Sequence, residues 1–317
     1  MKTISSLQTT LNSLRTGLFI AAAVCMLSGC RRNVTAKSLN TVSRELQEKA
    51  QREPQPEKPQ PQAEKQPEIQ PETPQPQAEE PQQEAVEVFS LYHLERPAAL
   101  ADRAEQLLER RGYSLSYNKD LRLPNWVAWE LTAGHVTGPH KRNGVNYQED
   151  GDVPRPRATH QDYYSSGYDR GHMCPSGDNK WDAEAQRQSF LLTNMCPQAH
   201  SLNAGDWNEL EQKCRTWARR YGSVYIVCGP ILYNRRHKTI GRNRVTVPEA
   251  FFKVVLRMEP QPAAIGFVYK NDDGNRPMGD YINTVDQVER ITGIDFFAAL
   301  PDSLERRVEA ASSLSEW

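Results

Sequence analysis

The chain has 317 residues, with 39 basic and 40 acidic side chains and a formal net charge of −1. A balance this close to neutral neither demands nor excludes a nucleic-acid partner, which has to be read from local clusters. No internal repeat is visible, and the length suffices for one large domain with a real core.

Residues 1–29 read as an export signal. Lys2 and Arg15 give a basic flank, and "GLFIAAAVCML" from Gly17 to Leu27 is an apolar run of signal length, short for a bilayer span. "LSGC" at Leu27 to Cys30 resembles a bacterial lipoprotein cleavage box. The resemblance implies an exported chain whose lipidated mature N-terminus, Cys30, holds it on a membrane without a spanning helix. The alternative is an ordinary secretory signal with a chance cysteine. Residues 30–85 read as the lipidated N-terminus and a stalk. From about Gln51 to Ala85 the segment is rich in Pro, Gln and Glu and nearly free of large apolar side chains. Such a segment cannot bury enough surface to offset chain entropy, and its prolines favour an extended form of roughly 3 Å per residue.

Residues 86–317 form the remaining domain. "PAALADRAEQLLERRG", Pro97 to Gly112, has helical apolar spacing and a terminal glycine, which predicts a helix. "YSLSYN" and "NWVAWELT" alternate as strands, and "SFLLTNM", Ser189 to Met195, predicts a short buried strand. A helix is predicted from about Gly205 to Tyr221, closed by Gly222. "SVYIVCGPI", "AFFKVVLRM" and "AAIGFVYK" are three further strands, and "TVDQVERITG" and "DSLERRVEAASS" are short helices. The mixture lacks regular βαβ alternation, which predicts an α+β fold.

Cys25 leaves with the signal and Cys30 takes lipid, so the domain keeps Cys174, Cys196, Cys214 and Cys228. In an oxidising compartment four cysteines allow three disulfide pairings, and free thiols are the other option. A zinc site with His160, His172 or His200 lacks any C-x-x-C pair to support it.

The chemistry concentrates in "SGYDRGHMCPSGDN", Ser166 to Asn179. His172 can act as a general base near neutral pH, and Arg170 can hold a phosphate oxygen with its planar fork. Gly171 is expected to let the backbone turn sharply between them. In "TNMCPQ", Thr193 to Gln198, a strand delivers the amide of Asn194 and is stopped by proline. "LNAGDWNELE", Leu202 to Glu211, places Asn203 where a helix begins, either as a plain N-cap or with its amide oxygen toward a metal. On the helical wheel Asn203, Trp207, Leu210, Cys214 and Trp217 share one face, with Glu211 at its edge. "NRRHKTIGRNR", Asn234 to Arg244, is either a solvated loop or a track for a phosphate backbone.

"DRGHM", "TNMCPQ" and "LNAGDWNELE", in that order and at those separations, resemble the DNA/RNA non-specific endonucleases, whose active site is a ββα-metal or His-Me finger. The resemblance extends over roughly Tyr113 to Leu300. It implies a central, mainly antiparallel sheet flanked by helices and a metal-dependent hydrolysis of phosphodiesters. His172 would be the general base, and Asn203 the one direct ligand of a hydrated Mg²⁺, with Mn²⁺ as a substitute. Glu211 would act on that metal through water. Arg170 and Arg142 would hold the phosphate, with Arg155 and Arg157 as competitors of Arg142, and Asn194 would support the site. Asp169 is either a scaffold residue or a second metal carboxylate. The implied substrates are DNA and RNA with little sequence preference, cut to 5′-phosphate ends. Tyr163, Tyr164, Tyr168 and Trp181 flank the motif, as core residues in preference to stacking platforms.

Overall fold

The computed structural model describes residues 93–272 and 274–317. The export signal, Cys30 and the stalk lie outside the described residues. No helix among the described residues is long and apolar enough to cross a membrane.

The strands are β1 Gln106–Glu109, β2 Ser114–Asn118, β3 Leu123–Thr132, β4 Asp169–His172, β5 Met195–Gln198, β6 Ser223–Ile231, β7 Thr239–Ile240, β8 Val245–Thr246, β9 Ala250–Arg257, β10 Ala263–Lys270 and β11 Ile282–Asn283. Seven of them form one sheet in the order β1-β2-β3-β6-β9-β10-β11, with every neighbouring pair antiparallel. The period-two alternation of a strand decides which core each side chain enters. In β3, Val127, Trp129 and Leu131 join one apolar cluster, while Trp126 and Ala128 join another. In β9, Phe251 and Val255 face the first, and Phe252, Val254 and Leu256 the second. Both faces of the sheet are therefore covered, and each large apolar side chain so buried contributes roughly 1.5–3 kcal/mol.

The helices are α1 Ala183–Gln188, α2 His200–Ala204, α3 Asp206–Tyr221, α4 Val285–Thr292 and α5 Asp302–Glu309. The stripe Trp207, Leu210, Cys214 and Trp217 seats α3 on the first cluster. Gly222, at φ +85°, ends that helix in a conformation other residues avoid. Val285 and Val288 of α4 and Val308 of α5 cover the second cluster.

Three expectations are corrected. No helix forms over residues 97–112; Gln106–Glu109 is instead an edge strand paired to β2, from Gln106 opposite Tyr117 to Glu109 opposite Ser114. The turn closes by the Arg110 amide on the Tyr113 carbonyl, and Arg110 itself bonds Asp150 and Asp152. Those long-range partners outweigh local helix propensity. Likewise, residues 189–195 are not a strand: a short 3-10 turn spans Leu192–Asn194, and β5 starts only at Met195. Pro197 lies inside β5 opposite Arg170, where a two-stranded ribbon tolerates it, so it does not stop the strand.

Candidate active site

β4 and β5 pair as an antiparallel ribbon, with His172 opposite Met195 and Gly171 opposite Cys196, and α2 and α3 follow at once. Gly171 is not a turn. It sits in extended backbone, and a Cβ there would lie 2.6 Å from the Cβ of Gln198. Glycine is required by the closeness of the neighbouring strand, which corrects the expected reason.

Asn194 is fully buried and spends its amide on the backbone beyond His172. Its Oδ1 accepts from the Cys174 amide at 2.9 Å, and its Nδ2 donates to the carbonyls of Cys174 and Ser189, both at 2.8 Å. It positions the strand end and does not line the cleft described below. Trp207, in the first turn of α3, donates its indole N–H to the His172 carbonyl at 3.2 Å. The His172 ring meets Phe190 edge-on at 5.0 Å. Its Nε2 is buried without a hydrogen-bond partner. Burial, reinforced by the nearby Arg142 charge, pushes the imidazole down to about 3, so it is neutral across the ordinary pH range.

Asn203 lies inside the short helix α2, whose N-cap is Ala199, so it is neither a plain N-cap nor the first residue of the long helix. Gly205 breaks the two helices apart: a Cβ there would lie 2.5 Å from the Ser201 carbonyl. Asn203 Nδ2 donates to Asp169 Oδ2 at 2.9 Å, and the same oxygen is 2.8 Å from His200 Nδ1. The amide nitrogen is thus spent on Asp169, which leaves Oδ1 for the cleft. Through that bond Asp169 orients the Asn203 amide.

Arg170 is held by aromatic faces. Its guanidinium carbon lies 5.1 Å from the Tyr147 ring, 5.5 Å from Tyr163 and 5.7 Å from Tyr164. Such contacts fix a cation without neutralising it. Tyr163 is buried, whereas Tyr164 is 63% exposed and departs from the expected core role.

A cleft of about 670 Å³ is lined by His172, Asn203, Glu211, Arg170 and Arg142 together. Arg155 and Arg157 do not reach it. They pair with Glu149 at 3.3 and 3.1 Å and line a second groove of about 780 Å³ with Arg242, from the basic tract. Beside Glu211, Arg215 donates to Asp178 at 2.8 Å, and Lys253 is buried with its ammonium 4.3 Å from the Trp207 ring. Burial pushes the Glu211 carboxyl up to about 7, against the pull of Lys253 and Arg215.

Sequence reasoning missed Lys141, Lys180, Asn208 and Arg215, which also line the cleft. Arg215, one turn beyond Glu211, carried a readable signal; the lysines come from loops and carried none. The four cysteines are free and buried, and among the described residues none of them joins a metal-ligand cluster, so the disulfide and zinc options are not realised. Burial pushes their thiols up, away from the thiolate.

The donors in the cleft suit a hard divalent cation: a free amide oxygen at Asn203 and a carboxylate at Glu211, with no thiolate among them. A testable consequence concerns pH. Glu211 is neutral below about 7 and charged above it, while His172 does not titrate there. The divalent-cation concentration that half-fills this cleft is therefore expected to be about tenfold higher at pH 6 than at pH 8, as a proton competes for the carboxylate. In Glu211→Gln that difference should vanish. A difference that persists in the variant would assign the titration elsewhere.

Residues 93–303 match the profile described as DNA/RNA non-specific endonuclease. The mitochondrial nuclease EXOG of Xenopus laevis is 34% identical over 204 residues, covering 59% of this chain and 57% of that protein. Mitochondrial endonuclease G of Bos taurus is 32% identical over 216 residues, covering 63% of this chain and 71% of its own. A chain in the crystal structure of the EndoG/EndoGI complex superposes with a TM-score of 0.60 at 28% identity, over 62% of this chain and 87% of that one. The chain spans only 56% to 59% of the length of the EXOG proteins it matches. With the family profile covering most of the domain and the ββα ribbon-and-helix site in place, the chain belongs to the DNA/RNA non-specific endonuclease family.

Proposed function

We propose that this protein is a Mg²⁺-dependent endonuclease that hydrolyses phosphodiester bonds of both DNA and RNA, leaving 5′-phosphate and 3′-hydroxyl ends. Enzymes of this family generally depend on a divalent metal. The observation that carries the proposal is the shared cleft of a neutral imidazole, an amide oxygen, a carboxylate and two arginines.

In this reading His172 takes a proton from a water molecule, and the water oxygen attacks phosphorus in line. The bond to the 3′ oxygen breaks, and that oxygen leaves with a proton from solvent. Arg170, braced by its tyrosines, and Arg142 hold the non-bridging oxygens as their charge grows. Asn203 Oδ1 would hold the cation directly, and Glu211 would hold its waters. When bound, the cation supplies charge neutralisation at the phosphate and at the leaving oxygen. The charges of Lys253 and of Arg215, which lies beside Glu211 in the cleft wall, act on the Glu211 carboxylate.

These groups read phosphate and not base edges, so little sequence preference follows. The test is incubation of the purified chain with plasmid and with RNA, in Mg²⁺ or EDTA. Cleavage of both only in Mg²⁺ is expected, and failure to cut either substrate would sink the proposal.

The localisation is part of the same reading. We propose that residues 1–29 are removed and that Cys30 carries the lipid that anchors the enzyme to a membrane. Growth with labelled fatty acid should label the wild-type chain and not Cys30→Ala. Equal labelling would reject the anchor.

A further inference from the structure

The second face of the sheet, away from the cleft, carries carboxylates gathered between two helices. Asp286 and Glu289 stand one turn apart on α4, and Glu309 is the last residue of α5. One ligand oxygen from each of the three lies within 4.8 Å of the others. The charges acting most strongly on Glu309 are all carboxylates: Glu289, Glu305, Asp286 and Asp295.

A second observation points into this group. Glu309 is only 5% exposed, and its Oε1 is buried without a hydrogen-bond partner. A buried carboxylate oxygen with no donor is costly, and native folds rarely leave one so. Glu289 is anchored by accepting from the Phe296 amide at 2.8 Å through Oε1, which leaves Oε2 for the cluster. Glu309 also sits at the C-terminus of its helix, where unpaired carbonyls favour a cation.

We propose that Asp286, Glu289 and Glu309 form a structural Ca²⁺ site that clips α5 to α4. The three oxygens already lie within 4.8 Å of one another, and the large, geometrically tolerant Ca²⁺ can gather them with small side-chain movements. Mg²⁺ demands near-ideal octahedral geometry and gives up its waters reluctantly, so a cage of three protein carboxylates suits Ca²⁺ better. The remaining coordination positions fall to water. The site supplies stability and takes no part in cleavage, so it does not depend on the nuclease reading.

Calorimetric titration of the chain with CaCl₂ tests it against Glu309→Gln. The wild type is expected to bind one Ca²⁺ more per chain than the variant. Its melting temperature should rise by about 5–10 °C more than the variant's at a hundredfold excess over Kd. Any ion held at the cleft is common to both proteins and cancels in the comparison. Asp286→Asn, at a part-exposed position, carries the same test should Glu309→Gln fold poorly. Equal stoichiometry and equal shifts in wild type and variants would overturn the site. A shift with Mg²⁺ as large as that with Ca²⁺ would overturn the calcium assignment.

Discussion

His172→Ala is expected to cut plasmid DNA about 10³–10⁴-fold more slowly than the wild type, the upper part of the range for loss of a general base. The ring is held by Phe190 and Tyr147, and its backbone is held independently by Trp207 and the Asn194 clamp. Those backbone bonds survive the substitution. The variant should therefore melt within a few degrees of the wild type, since a domain of this size shifts about 2–4 °C per kcal/mol. Single-turnover cleavage together with a melting curve separates the two effects. A rate within tenfold of wild type would show that another group takes the proton. Because the imidazole stays neutral down to about 3, the wild-type rate should not lose its base on acidification to pH 5.

Asn203→Ala is expected to lower the rate and the metal affinity together. Loss of outer partners of metal ligands costs about 10–100-fold in affinity or activity, and removal of the proposed direct ligand should cost at least the upper end of that range. A titration of cleavage rate against Mg²⁺ should show a raised half-saturation and a lowered plateau. Asp169→Ala should produce a smaller change in the same direction, because it frees the Asn203 amide to rotate without deleting it. A variant at 203 with unchanged Mg²⁺ dependence would place the metal elsewhere in the cleft.

Much of the scaffold could be read before any coordinates. Strands β3, β6, β9 and β10 announce themselves as nearly continuous apolar runs, because both faces of the sheet are covered, and α3 because Trp207, Leu210, Cys214 and Trp217 recur at helical spacing. The segment 97–112 misled because its local spacing suits a helix, while its conformation is set by β2 and by the buried pair of Arg110 with Asp150, 40 residues away. The short helix α1 was overlooked, although Asp182 caps it by accepting from the amides of Glu184 and Ala185. At the site, the types and order of Arg170, His172, Asn194, Asn203 and Glu211 were visible. Their division of labour was not: Asn194 turned out to bond only backbone, and Arg155 and Arg157 to belong to a different groove from Arg142.

By itself the sequence determined the apolar strands, the amphipathic long helix and the chemical types available for phosphodiester hydrolysis, because periodicity and residue identity are local properties. The tertiary structure alone decided that Asp169 takes the Asn203 nitrogen and leaves its oxygen, that Gly171 is glycine for want of space beside Gln198, and that Lys253 lies buried behind Glu211. Each of these depends on groups far apart in the chain meeting at hydrogen-bond or van der Waals distance, and on the burial that then shifts their charge.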